Sequence, residues 1–200
     1  MNNEIKFDEN RFKSLIDDFC EFLGLSKSDI IEIDSSKSEF TYRKYYRYKH
    51  NKTLPFFFIE LYNGFTKLLI DCKEKGKSKI YEFYDNETLE ALKEIIHKSL
   101  KNQFEYLKSQ IVYKDDRTTI IIRENDLDKS ETLMYLYYEN KKFSASKRNG
   151  KISLSPYDMS NNECEFYLKA IEKYFIKNNE HIEKETEESK WNSSYFFTHY

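Results

Sequence analysis

The chain has 200 residues, enough for one domain with a sizeable core or for two small halves that share one. Its 39% hydrophobic and 17% aromatic content argues against general disorder, although 34% of residues are charged. The formal net charge of −2 excludes a generally basic nucleic-acid coat, so any anion-binding surface has to be local.

The first element predicted is a helix. Asp8 is placed to cap it, Phe12, Leu15, Ile16, Phe19, Phe22 and Leu23 recur at helical spacing, and Gly24 stands where a C-terminal cap belongs. Strands follow over 39–49, 55–62 and 65–72, then 79–84 after the turn KEKGKS. A second helix spans about 86–108, with Leu89, Leu92, Ile96, Leu100, Phe104 and Leu107 on one stripe. Strand-like runs then return at 118–123, 132–138, 142–146 and 151–155. They precede a helix from about Ser160 whose stripe is Cys164, Tyr167, Leu168, Ile171, Tyr174 and Phe175.

The second half thus echoes the first, down to Lys79-Ile80 and Tyr84-Asp85 against Lys151-Ile152 and Tyr157-Asp158. The expected fold is α+β: antiparallel β-meanders in two similar β-meander-plus-helix units, preceded by an N-terminal helix. Residues 1–200 are read as one domain, with units at about 39–109 and 117–178 and an extension over 179–200. In that extension the acidic run EHIEKETEES reads as a solvated helix. The run WNSSYFFTHY, with Trp191 and Phe196, reads as apolar surface docked on the body or inserted into a partner.

Cys20, Cys72 and Cys164 are odd in number and far apart, which argues against a disulfide framework or zinc module and for a reducing compartment. The start MNNEIKFDEN has no signal-peptide pattern, and no apolar run reaches the ~20 residues of a membrane span, so a cytoplasmic protein with no membrane partner is expected. Lys outnumbers Arg 27 to 6 beside many Asn, Ile and Tyr, a bias that suits an A/T-rich bacterial or phage genome.

The four histidines lie in separate segments with no metal-ligand spacing, and no Gly-rich phosphate loop, GxSxG or CxxC is present. No catalytic residue, metal or cofactor is therefore expected. One fragment, LLIDCK over 68–73, resembles the (D/E)xK element of metal-dependent PD-(D/E)xK nucleases. The resemblance implies Mg²⁺ held by Asp71 and phosphate charge or water met by Lys73, with Glu60 as a second carboxylate. The chain departs from that family in two ways. Pro55 is followed by Phe56 rather than Asp, and a hairpin follows where the family has a helix.

The stretch FTYRKYYRYKH over 40–50 draws the most attention. As a strand it puts Phe40, Tyr42, Tyr46 and Tyr48 with Lys44 on one face, and Thr41, Arg43, Tyr45, Arg47 and Lys49 on the other. Residues 39–52 carry five positive charges against one negative, and the two hairpins add Lys75 and Lys77, and Lys147 and Arg148. Arg43, Arg47 and Lys49 with Tyr45 form the expected contact surface, since Arg suits phosphate and Tyr45 could stack on a base. A merely solvated basic face explains the same residues.

The expectation is a non-catalytic binding protein: a small inhibitor or adaptor of a nucleic-acid-processing complex, of the phage anti-defence, anti-CRISPR-like kind. Its partner would be a protein or ribonucleoprotein, with nucleic-acid contact through the local basic surface. The alternatives are a toxin-neutralising immunity protein and a metal-dependent nuclease using Asp71 and Lys73.

Overall fold

Glu9–Leu23 form helix α1, which ends as its glycine demands. Gly24 takes φ +63°, and the amides of Gly24 and Leu25 donate back to the carbonyls of Glu21 and Cys20. That paired closure satisfies carbonyls the helix leaves open. The computed structural model describes residues 9–37, 41–62, 67–73, 75, 77–155, 159–176, 182–184 and 196–199, with the backbone alone for Glu9, 34–37 and the last two segments. Asp8 and Phe40 lie outside them.

Five antiparallel strands follow in chain order: β1 (Ile30–Lys37), β2 (Thr41–Tyr48), β3 (Phe57–Tyr62), β4 (Lys67–Cys72) and β5 (Ile80–Phe83). Helix α2 (Asn86–Ser109) comes next, with the Asp85 carboxylate accepting from the Thr88 amide at 2.6 Å at its start. One sheet face packs on both helices. Phe57 meets Phe19 of α1 edge-on at 5.6 Å, Tyr48 meets Phe104 of α2 at 5.2 Å, and the Tyr81 and Ser99 hydroxyls are 2.8 Å apart. Phe57, Ile59, Leu61, Leu68, Ile70 and Phe83 are buried on that face. Each contributes roughly 1.5–3 kcal/mol by transfer from water, so this layer holds the unit together.

The pattern recurs in β6 (Ile111–Lys114), β7 (Thr118–Glu124), β8 (Glu131–Tyr138), β9 (Lys141–Arg148) and β10 (Lys151–Ser155). A two-residue turn joins β9 to β10, with Asn149 at φ +50° and Gly150 at φ +76°, as a type I′ hairpin requires. Helix α3 (Asn161–Ala170) runs on into one wide turn, Ile171–Phe175. Tyr167, Ile171 and Phe175 from this segment bury against Leu136, Phe143 and Ile152 of the sheet. Strands β11 (Ile182–Lys184) and β12 (Phe196–His199) extend the sheet, which has the order β11-β12-β10-β9-β8-β7-β6. The chain divides into units Met1–Ser109 and Gln110–Tyr200. No helix among the described residues is long and apolar enough to cross a membrane.

The α+β meander-plus-helix architecture is as expected, with three corrections. Strands β1 and β6 open the two meanders, where the sequence reading began one strand later. Residues 182–184 are a strand paired with β12, not part of a helical extension. The Lys-Ile correspondence does not hold at side-chain level. Ile80 is exposed and lies opposite Asp71 on the face turned away from the helices, whereas Ile152 is buried in the core beneath α3.

Candidate binding surface

Strand β2 divides its side chains as its alternation predicts. Tyr46 and Tyr48 are buried on the helix-covered face, and Arg43, Tyr45 and Arg47 are half-buried on the other. Charge on this second face departs from expectation. Arg43 sits directly opposite Glu60 of β3, and its Nη2 donates to Glu60 Oε1 at 2.6 Å. Glu60 is only 2% exposed, and the pair holds the guanidinium above its ordinary pKa. Tyr45 packs on Phe58, ring centroids 5.2 Å apart, rather than standing alone. Lys44, on the covered face, donates to Glu32 of β1 at 2.7 Å. The segregation of charge along the sequence is thus partly cancelled across strands, where carboxylates from β1 and β3 meet Lys44 and Arg43 of β2.

The nuclease-like fragment shows the same cancellation. Asp71 is 1% exposed and uses both oxygens: Oδ2 accepts from Lys73 Nζ at 2.7 Å and Oδ1 from the Lys79 amide at 3.0 Å. Lys73 also reaches Ser78 Oγ at 2.5 Å, so the pair ties down the base of the β4–β5 hairpin. Glu60 shares a sheet face with Asp71 on the neighbouring strand, and Arg43 occupies it. Among the described residues no three His, Cys, Asp or Glu side chains cluster as metal ligands.

The register brings other cations together. Tyr46, Phe57 and Cys72 form one row across β2, β3 and β4. The β2–β3 connection and the β4–β5 hairpin therefore emerge from the same end of the sheet, two strand spacings or about 10 Å apart. Lys49 and Lys52 on the first segment are exposed, as are Lys75 and Lys77 on the second. Lys75 takes φ +50° at the turn.

The β2–β3 connection is held in place by Asn51, which is fully buried. Its Nδ2 donates to the Leu107 carbonyl at 2.9 Å, and its Oδ1 accepts from the Thr53 hydroxyl at 2.6 Å. Gln103 of α2 adds a bond to the Pro55 carbonyl at 2.9 Å. The lysines of this segment stand on an anchored loop, so a partner meeting them need not order the backbone.

The remaining candidates separate. Lys147 pairs opposite Ile152 on the α3-facing side of the second sheet, and Arg148, one residue on, belongs to the other face. Arg148 reaches Asp128 at 2.8 Å, so the two do not form one basic tip. Phe196 opens β12 opposite Ser153 of β10, which places that part of the tail backbone on the sheet. Trp191 lies outside the described residues. Lys52 was missed as a contact residue, although its place in a turn three residues after Lys49 was the available signal. No family model, curated protein or solved structure matches this chain.

Proposed function

We propose that the chain is a non-catalytic binding protein, an inhibitor or adaptor that docks on a nucleic-acid-processing complex through the lysine-bearing end of its first sheet. One observation carries this reading. Lys49, Lys52, Lys75 and Lys77 come from separate segments to one sheet end, whereas Arg43, Lys73 and Arg148 are each paired with a carboxylate of the chain itself. Four exposed ammonium groups on short loops complement an acidic protein patch or a phosphate track, and they raise encounter rates with either. The narrower form, a phage anti-defence protein acting in the cytoplasm, rests on the A/T-rich residue usage. A toxin-neutralising immunity protein would use the same surface on an acidic toxin.

Affinity capture from host lysate, with protein and nucleic acid both identified, tests the reading. Lys49, Lys52, Lys75 and Lys77 replaced together by Glu should abolish capture while leaving unfolding nearly unchanged, because exposed substitutions shift stability by about ±0.5 kcal/mol each. If nucleic acid itself is the target, affinity should fall steeply with salt. Undiminished capture by the folded quadruple variant would refute the assignment.

A further inference from the structure

The face of the first sheet turned away from the helices carries an aromatic step beside its lysine-bearing end. Tyr45, Phe58 and Asp71 lie opposite one another across β2, β3 and β4, in the row next to Tyr46, Phe57 and Cys72. The Tyr45 and Phe58 rings are 5.2 Å apart and tilted by 35°, and both residues are half-buried, so each keeps part of its surface open. Cations flank the pair on both sides. The Arg43 guanidinium lies 5.9 Å from the Tyr45 ring centroid, and the Lys73 ammonium lies 5.7 Å from that of Phe58.

Among the described side chains, charge on this face is matched except at one residue. Glu60, Asp71 and Glu82 are paired with Arg43, Lys73 and Lys67. Arg47, two residues along β2 from Tyr45 and on the same face, makes no ion pair among the described residues. Its Nε and that of Arg43 are shielded from water and have no hydrogen-bond acceptor. The planar fork of a guanidinium matches a phosphate, and a shielded donor without an acceptor is unfavourable, so Arg47 has capacity that the chain itself does not use. It also stands at the end of β2 from which the chain continues to Lys49 and Lys52.

We infer that the partner met at this end of the sheet is single-stranded nucleic acid, with a base stacked on the Tyr45–Phe58 step, a phosphate on Arg47, and the following phosphates on the four lysines. This rests on the lysine end being the docking surface, and it narrows the partner from any anionic surface to a polynucleotide. An acidic protein patch satisfies the lysines but makes no use of paired rings beside an arginine fork. Every nucleotide of a single strand presents a π-face and a phosphate together. A duplex keeps its bases stacked on one another, so the ring step selects single strands.

The test is fluorescence anisotropy of a labelled thymidine oligomer of about 15 nucleotides, titrated with the full chain. Saturable binding is expected, about tenfold tighter than to an abasic oligomer of the same length or to a duplex. Tyr45→Ala should weaken it about five- to fiftyfold and leave the abasic oligomer unaffected. Arg47→Gln should weaken both oligomers and reduce the slope of log affinity against log salt by about 0.7. Urea unfolding checks that each variant is folded, and Tyr45→Leu replaces Tyr45→Ala if the latter is not. No binding of the oligomer would overturn the inference, as would equal affinity for the abasic chain or unchanged affinity in both variants. If the oligomer is not bound while capture from lysate still depends on the four lysines, the partner is an acidic protein, and the docking surface stands without this inference. If the quadruple lysine variant captures its partner and binds the oligomer as the wild type does, the docking surface falls and the inference falls with it.

Discussion

Arg43 and Glu60 face each other across β2 and β3 at 2.6 Å, and the pair is unequal: the glutamate side chain is 2% exposed and the arginine 37%. Removing the arginine strands a carboxylate where water cannot reach it, whereas removing the glutamate leaves a guanidinium that water can still solvate.

Arg43→Ala should therefore destabilise the protein by about 2–4 kcal/mol, and Glu60→Gln by only about 1–2 kcal/mol. Arg43→Glu, which sets two carboxylates opposite each other, should cost more than either. Urea unfolding of the three variants measures the order. Equal costs for Arg43→Ala and Glu60→Gln would show that the pair is not the buried, asymmetric contact described.

Asp71 gives a second prediction. Its oxygens are committed to Lys73 and to the Lys79 amide, so its role is to close the hairpin. No Mg²⁺- or Mn²⁺-dependent cleavage of labelled DNA or RNA is expected, and Asp71→Ala should lower stability by about 2–4 kcal/mol through lost charge-assisted bonds. Cleavage that disappears in folded Asp71→Asn would place the chain among metal-dependent nucleases instead.

The start of α3 should respond to acid. Glu163 accepts from Lys141 and from the Ser160 amide, and these bonds hold its carboxyl at about 2 against an ordinary 4.5. The native state binds the proton less readily than the unfolded chain. Its stabilising contribution is thus complete above about pH 4.5 and is lost as pH falls through about 2. A ¹³C titration of the Glu163 carboxyl should show this depressed value, and Lys141→Ala should move it upward. A wild-type midpoint at 4.5 would contradict the capping geometry. Ser160→Ala, which removes the other half of the cap, should cost about 1 kcal/mol.

Local signals in the chain carried the fold as far as they reach. The α1 stripe closed by Gly24, the apolar run of β3 and the Asn149-Gly150 hairpin each specify their element from neighbouring residues. Strand β1 was not legible, because its isoleucines are interrupted by Glu32 and followed by Asp34, Ser35 and Ser36, which gives no clear alternation. It becomes a strand by pairing with β2, with a register shift between Glu32 and Asp34. The candidate surface was partly legible for the same reason. Lys49, Lys75 and Lys77 could be picked by charge and turn position. That Glu60 neutralises Arg43 depends on strand register, which links residues 17 positions apart.

The tail supplies a further test. Strand β12 covers an edge of β10 that would otherwise expose unpaired backbone groups. Deleting residues 190–200 should lower the melting temperature and promote association at that edge. Calorimetry and sedimentation velocity measure the two effects. A monomeric truncated chain with unchanged melting would show that β12 adds nothing to the sheet.

Through β10 every strand of either sheet hydrogen-bonds to one adjacent in the chain, so ten strands need only local search to find their partners. The exception is the pairing of β12 with β10, in which Phe197 meets Ile152 from 45 positions away. Low contact order favours rapid formation of the two meanders, and each can close as it leaves the ribosome. The β10 edge, by contrast, has to wait for residues 196–199. In refolding experiments this sets an order: sheet formation in a fast phase, followed by a slower, tail-dependent protection of the β10 amides from hydrogen exchange.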